Sequence, residues 1–448
     1  MRRATVLPGS LLRCVCVGCI LASAGGRGTT VRGDATHSAS LAGSSLTLAD
    51  ARRLAFQRNW DLLAAKSDVD IAVAQRIVAR EFPNPAASFG VEKINVDRHP
   101  SGTASGNGFW DRSYDTVAAV NQLIEIGGKR RARKDSAAAG LKGAEARLAD
   151  AHRLLDQGVA EAYVGVLLAE RNRGVLADSA AALRQEARIA EVRQRAGDIS
   201  RADQNQIEIA AERLELDAAG AEAEARKARV GLEVLLGEKE PGGEIELADA
   251  LDSLVNVSAE ATNAPPATFS RPDLVAAEAA RVKAETDLRL QKAARIPDPT
   301  LLTQYEHEPP DQPNAVGFGV SFPLPLWNRN GGNIAAARAA LERTTSNAEK
   351  VRAQVRADIA VARLSYTAAL TRWQRYRDEL TPKSRQIRES VALAYGRGGA
   401  ALLDLLAAQR NDNEVRLATA QAAAEAANAA ANLRAALNLT DSTNPQTK

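Results

Sequence analysis

Glu306-His307-Glu308 is the most ligand-like run in the chain, two carboxylates around an imidazole. On a strand, successive side chains point to opposite faces, so His307 leaves the face that carries both carboxylates and the trio does not close on one ion. His152 and Asp156 stand one helical turn apart, but two ligands without a third read as a surface hydrogen bond. No metal site is assigned. Gly102, Gly106 and Gly108 do not lead from a strand into a helix with an acidic partner, so a dinucleotide fingerprint is rejected and no cofactor is expected. No nucleophile stands with a base and no carboxylate pair marks a concave site, so the chain is not expected to be an enzyme.

Three further groups could act by charge or by shape. Lys129, Arg130, Arg131, Arg133 and Lys134 form the one dense basic run. In a cytosolic protein that run would suggest nucleic acid. Here it follows a strand pattern in an exported chain, so the expectation is lipid phosphates or a solvated helix start, and no nucleic acid. Gly197 precedes Ser200 and Asp203, while Tyr395 and Gly398 precede Asp404, with six residues from glycine to aspartate in both cases. Glycine permits a reversal between antiparallel helices and the acidic residue meets the positive end of the next helix. The six residues are therefore candidates both for capping and for an aperture or a partner contact.

The elements that must position these groups follow from composition and repeats. The chain has 448 residues, 45% apolar and only 4% aromatic, with 58 basic against 55 acidic side chains for a net charge of +3. That balance gives no general reason for a polyanionic partner. Cys14, Cys16 and Cys19 all lie in the apolar run behind Arg2 and Arg3, and Ala22-Ser23-Ala24 suits a signal peptidase, so residues 1–24 are expected to be a signal peptide. Lipidation at Cys19 is the minor alternative, since Val17-Gly18-Cys19 is a poor lipoprotein box. No later run of 18 apolar residues suggests a membrane helix.

One plan occurs twice. Pro83-Asn84-Pro85 and Pro297-Asp298-Pro299 each open an extended stretch, and Gly127-Gly128 and Gly331-Gly332 each lead into a long Ala-rich segment. Leu141, Leu148, Leu155, Tyr163, Leu167 and Leu176 recur at helical multiples, which predicts about 100 Å of helix over 129–195. Val351, Val355, Ile359, Tyr366, Leu370 and Trp373 do the same in the second copy, where Pro382 should kink or restart the helix. Helices this long and thin must pair and bundle.

Val316, Phe318, Val320 and Phe322 alternate with Gly317, Gly319 and Ser321, the period of a membrane β-strand with one lipid face. Two hairpins supply four strands, which leave open edges and cannot close alone. Three copies would supply twelve. Pro323 and Pro325 end the strand and, with the two glycine pairs, predict a corner between barrel and helices.

Phe82-Pro83-Asn84-Pro85, the run Gln122 to Arg130, Ile296-Pro297-Asp298-Pro299 and the run Ser321 to Ile334 resemble, in their order and duplication, the TolC-like outer-membrane efflux proteins, and most closely their heavy-metal cation efflux branch. The resemblance covers 46–439. It implies a mainly α fold with a small β part: a trimer whose four strands per protomer complete a 12-stranded barrel above a long antiparallel helical barrel. It also implies a passive exit duct that meets a periplasmic adaptor protein and an inner-membrane RND-type pump. The expected division is an extension at 25–45, a first repeat at 46–236 with its hairpin at 85–124 and helices at 128–236, an equatorial linker at 237–270, a second repeat at 271–439 with its hairpin at 299–323 and helices at 333–438, and a tail at 440–448. Relatives that latch the aperture with an arginine and a second acid have Ala400 and Ala407 here instead. The same duct serving drug export or protein secretion is the main alternative, and a periplasmic coiled-coil adaptor the second.

Overall fold

The computed structural model describes residues 45–92, 115–257, 271–308 and 312–439. The expected signal peptide, most of the extension, Gly102, Gly106 and Gly108, and the tail 440–448 lie outside the described residues. β1 (Ser45–Leu46) leads into α1 (Leu48–Arg58), α2 (Trp60–Val78), β2 (Ala86–Glu92), β3 (Asp115–Leu123), α3 (Lys129–Arg195) and α4 (Arg201–Leu235). β4 (Glu246–Leu247) and a 3-10 turn at Leu251–Leu254 follow. The same order then recurs as α5 (Pro272–Ala293), β5 (Thr300–Glu308), β6 (Gln312–Ser321), α6 (Gly331–Arg375), α7 (Thr381–Gly396) and α8 (Leu402–Ala436).

α3 is one uninterrupted helix of 67 residues. The second long path is broken where proline was expected to break it, but the break is a π-turn at Tyr376–Leu380 just before Pro382. Pro382 then stands in the first turn of α7, where its missing amide donor leaves no helical bond unmade, so the path continues.

β2, β3, β5 and β6 form one antiparallel sheet in that order, so each hairpin gives one inner strand and β2 and β6 are left as edges. β1 and β4 pair in parallel beside the helices. Among the described residues no helix is long and apolar enough to cross a membrane.

The helices pack through small side chains. Ala429, Ala430 and Ala436 of α8 let the helix approach Val355, Ile359 and Tyr366 of α6 closely enough to bury Leu433 completely. Each long helix also uses one tyrosine to hold the connecting segments. The Tyr163 hydroxyl lies 2.8 Å from the Leu46 carbonyl and 3.0 Å from the Asp249 carboxylate, and the Tyr366 hydroxyl accepts the Val257 amide at 3.0 Å. Glu233 is buried, and its carboxylate accepts the amides of Gly243 at 2.7 Å and Glu244 at 3.0 Å, which satisfies a linker turn that has no sheet partner.

Candidate channel lining, corners and aperture

Register decides what each face of the sheet presents. Tyr305 stands opposite Val316, Thr303 opposite Phe318 and Leu301 opposite Val320, with Ala118 and Val120 continuing the row on β3 and Phe89 on β2. Val316, Phe318 and Val320 are 64%, 82% and 63% exposed, so this face is apolar and uncovered in the protomer. Phe322 lies one residue past the ladder, which ends at Ser321, so it belongs to the corner rather than to the strand. The opposite face carries Ser88, Ala119, Asn121, Gln304, Gly317 and Gly319. Gly317 leaves room for Gln304 there, since a Cβ would stand 3.0 Å from that side chain and push it aside.

That second face ends in carboxylates. Glu306 and Glu308 share it, as the alternation required, and His307 pairs by register with Thr116 on the other face. Asp115 joins them from β3, and oxygens of Asp115, Glu306 and Glu308 lie within 4.8 Å of one another, close enough to share a divalent cation. Glu92 pairs in register with Asp115 on the same face, and no lysine or arginine occurs in any of the four strands. Asp115 was missed in sequence because its partners lie almost two hundred residues away. The one available signal was its position at the start of the strand that faces Thr300 to Glu308. His152 and Asp156 part company: the His152 ring meets Phe56 edge-on at 5.1 Å, and Asp156 pairs with Arg52 at 2.8 Å.

The two corners are built differently. At the first, Gly127 and Gly128 adopt left-handed φ of 72° and 79°, and the Ile126 amide and the Lys129 ammonium both bind Asp298, at 2.9 and 2.7 Å. Arg133 makes a bidentate pair with Glu125, and Arg130 lies 3.8 Å over the Phe82 ring while donating to the Arg80 carbonyl. Three of the five basic side chains are thus spent inside the protomer, where the run was expected either to meet lipid phosphates or to be a solvated helix start. The carbonyls at the end of α2 and two carboxylates lie within their reach. At the second corner Pro323 and Pro325 separate β6 from α6, but the left-handed residue is Asn330, φ 59°, not a glycine. Gly331 and Gly332 already belong to the first turn of α6. Asparagine tolerates this region because its side chain bonds locally, and Asn330 also donates to the Gln291 carbonyl at 2.8 Å.

The two helical turns lie at one end. Gly197 and Gly398 have φ of 83° and 76°. Ser200 caps α4, accepting the Asp203 amide at 3.1 Å while its hydroxyl donates to the Asp203 carboxylate at 2.8 Å. Asp404 accepts the Ala401 amide at 3.1 Å, which is only half of a capping box, since alanine has no acceptor. Tyr395 is buried with Ala190, Ile207, Leu402 and Leu405, which joins the α3–α4 turn to the α7–α8 turn. Arg193 lies 5.4 Å over its ring. Burial raises the Tyr395 pKa and Arg193 opposes that rise. Ala400 packs against the same apolar cluster and Ala407 is exposed.

Comparison with known proteins agrees with this architecture. The chain is 26% identical over 385 residues to the cobalt-zinc-cadmium resistance protein CzcC of Cupriavidus metallidurans, covering 84% of this chain and 86% of that one. A membrane protein from Pseudomonas aeruginosa superimposes with a TM-score of 0.74 at 19% identity, over 87% of this chain and 92% of the other. The CmeC outer membrane channel of Campylobacter jejuni does so with a TM-score of 0.72 at 17% identity, over 87% and 85%. The profile of the outer membrane efflux protein family matches residues 51–238 and 267–439, and the chain therefore belongs to that family of outer-membrane efflux channels, a duct and not an enzyme.

Proposed function

We propose that three copies of this chain close a twelve-stranded barrel in the outer membrane and form a passive exit duct for heavy-metal cations. The observation that carries the reading is the four-stranded sheet with two free edges, apolar on one face and, on the other, ending in Glu92, Asp115, Glu306 and Glu308, with no lysine or arginine within the four strands. A closed barrel removes the edges that lipid does not tolerate. With the apolar face turned to lipid, the carboxylates line the lumen and lower the energy of a cation relative to an anion. The similarity to a cobalt-zinc-cadmium resistance protein of Cupriavidus metallidurans supports the same cargo. In this reading an N-terminal signal exports the chain, and the turns at Gly197 and Gly398 meet a periplasmic adaptor fed by an inner-membrane RND-type pump.

The purified channel in planar bilayers tests the cargo. Cations should permeate better than anions, and Asp115→Asn with Glu306→Gln and Glu308→Gln should abolish the preference. A channel equally permeable to both ions before substitution would instead favour drug or protein export through the same duct.

A further inference from the structure

The ladder only just matches the layer it has to cross. Ten residues of β6, tilted about 45°, rise about 23 Å, close to an apolar band about 25 Å tall, so its end lies near the membrane interface. Exposed apolar side chains continue past the ladder. After β3 come Ile124 and Ile126, beyond the polar Gln122, and after β6 come Phe322, Leu324 and Leu326. Trp327 follows at 93% exposure. An exposed indole at that level fits the interface between tails and headgroups.

Cations come next. Lys129, Arg130 and Arg133 are held by Asp298, the Arg80 carbonyl and Glu125, but Arg131, Lys134 and Arg329 are exposed and have no ion-pair partner among the described residues. Arg131 and Lys134 fall within about 10 Å of the start of α3, the depth of a headgroup layer plus one long side chain.

We propose that the corners lie at the membrane interface, and that Arg131, Lys134 and Arg329 bind the phosphates of anionic phospholipid in the periplasmic leaflet. This rests on the outer-membrane duct proposed above. The apolar rows bring the leaflet to the corner, and the three unpaired cations complement its charge, nine of them in a trimer.

Full-length protein in nanodiscs of phosphatidylcholine, with or without phosphatidylglycerol, tests it through the temperature at which the assembly dissociates. Phosphatidylglycerol should raise that temperature for the parent. The rise should vanish in Arg131→Gln/Lys134→Gln/Arg329→Gln, and that variant should retain fewer phosphatidylglycerol molecules by native mass spectrometry. Brominated lipid should quench the parent's fluorescence more than that of Trp327→Phe. An equal rise in parent and triple variant, or a triple variant that alters conductance and leaves the rise intact, overturns the lipid-phosphate site. Conductance measured on the same preparations separates the two readings: a chain that conducts without responding to phosphatidylglycerol refutes the lipid-phosphate site alone, and one that never conducts refutes the duct.

Discussion

Asp404 joins two roles in one carboxylate, an acceptor for the Ala401 amide and an exposed negative charge beside the Gly398 turn. Substitution separates them. Asp404→Asn keeps an acceptor and removes the charge, whereas Asp404→Ala removes both at a cost of about 0.5–1 kcal/mol in the first turn of α8. If the aspartates ring the aperture, block of single-channel conductance by divalent cations should fall in the Asn channel as far as in the Ala channel. Unchanged block in Asn would leave capping as the only role. Spacing along the chain was sufficient to single out Asp203, Ser200 and Asp404, because a helix cap is local. It could not bring Asp115 to Glu306 and Glu308, nor Arg193 over Tyr395, since those pairs depend on strand register and on the meeting of two separate hairpins.

At the scale of elements, β6 and the α5–α6 junction make the clearest tests. Lysine at Phe318 puts a charge on the apolar face at a cost of about 2–4 kcal/mol near the bilayer midplane, so assembly into membranes should drop. Lysine at Gly319 meets Leu302 at an ordinary 3.4 Å on the other face and should assemble but alter conductance. Equal assembly of the two variants would show the faces to be reversed or the register wrong. At the start of α5, the buried Arg271 binds Asp273 at 2.8 Å and Asp358 of α6 at 2.7 Å. Burial pushes the Asp358 carboxyl upward, but hydrogen bonds from Arg271 and Gln354 outweigh it and hold it below the usual range. A depressed carboxylate stabilises the fold above its ordinary value near 3.8 and loses that contribution as pH falls through the depressed value. Acid titration of thermal stability should therefore be flatter below pH about 4 in Asp358→Asn than in the parent. The uninterrupted α3 was legible from periodicity, and the alternation of β6 from its glycines. The π-turn before Pro382 was not, because a wider turn has no residue signature of its own.

For the whole molecule, the sheet order β2-β3-β5-β6 leaves both outer strands without partners, so a lone protomer should not be stable in a bilayer. Detergent-extracted protein should sediment as a trimer that heat dissociates, and a monomer that inserts and conducts would refute closure between copies. Composition and periodicity by themselves determined that the chain is built from long Ala-rich helices and short strands with one greasy face, since these properties depend on residues a few positions apart. They also located both helical turns and both corners, where glycine and proline act on their own backbone. Tertiary structure alone decided how the basic run is divided, with Lys129, Arg130 and Arg133 drawn inward by Asp298, the end of α2 and Glu125, and Arg131 and Lys134 left outside. It alone placed Asn330 in the left-handed position expected of Gly331-Gly332 and gathered three carboxylates at one end of a sheet face. Side chains far apart in sequence interact only after the two hairpins have paired, and nothing in a single segment encodes that pairing.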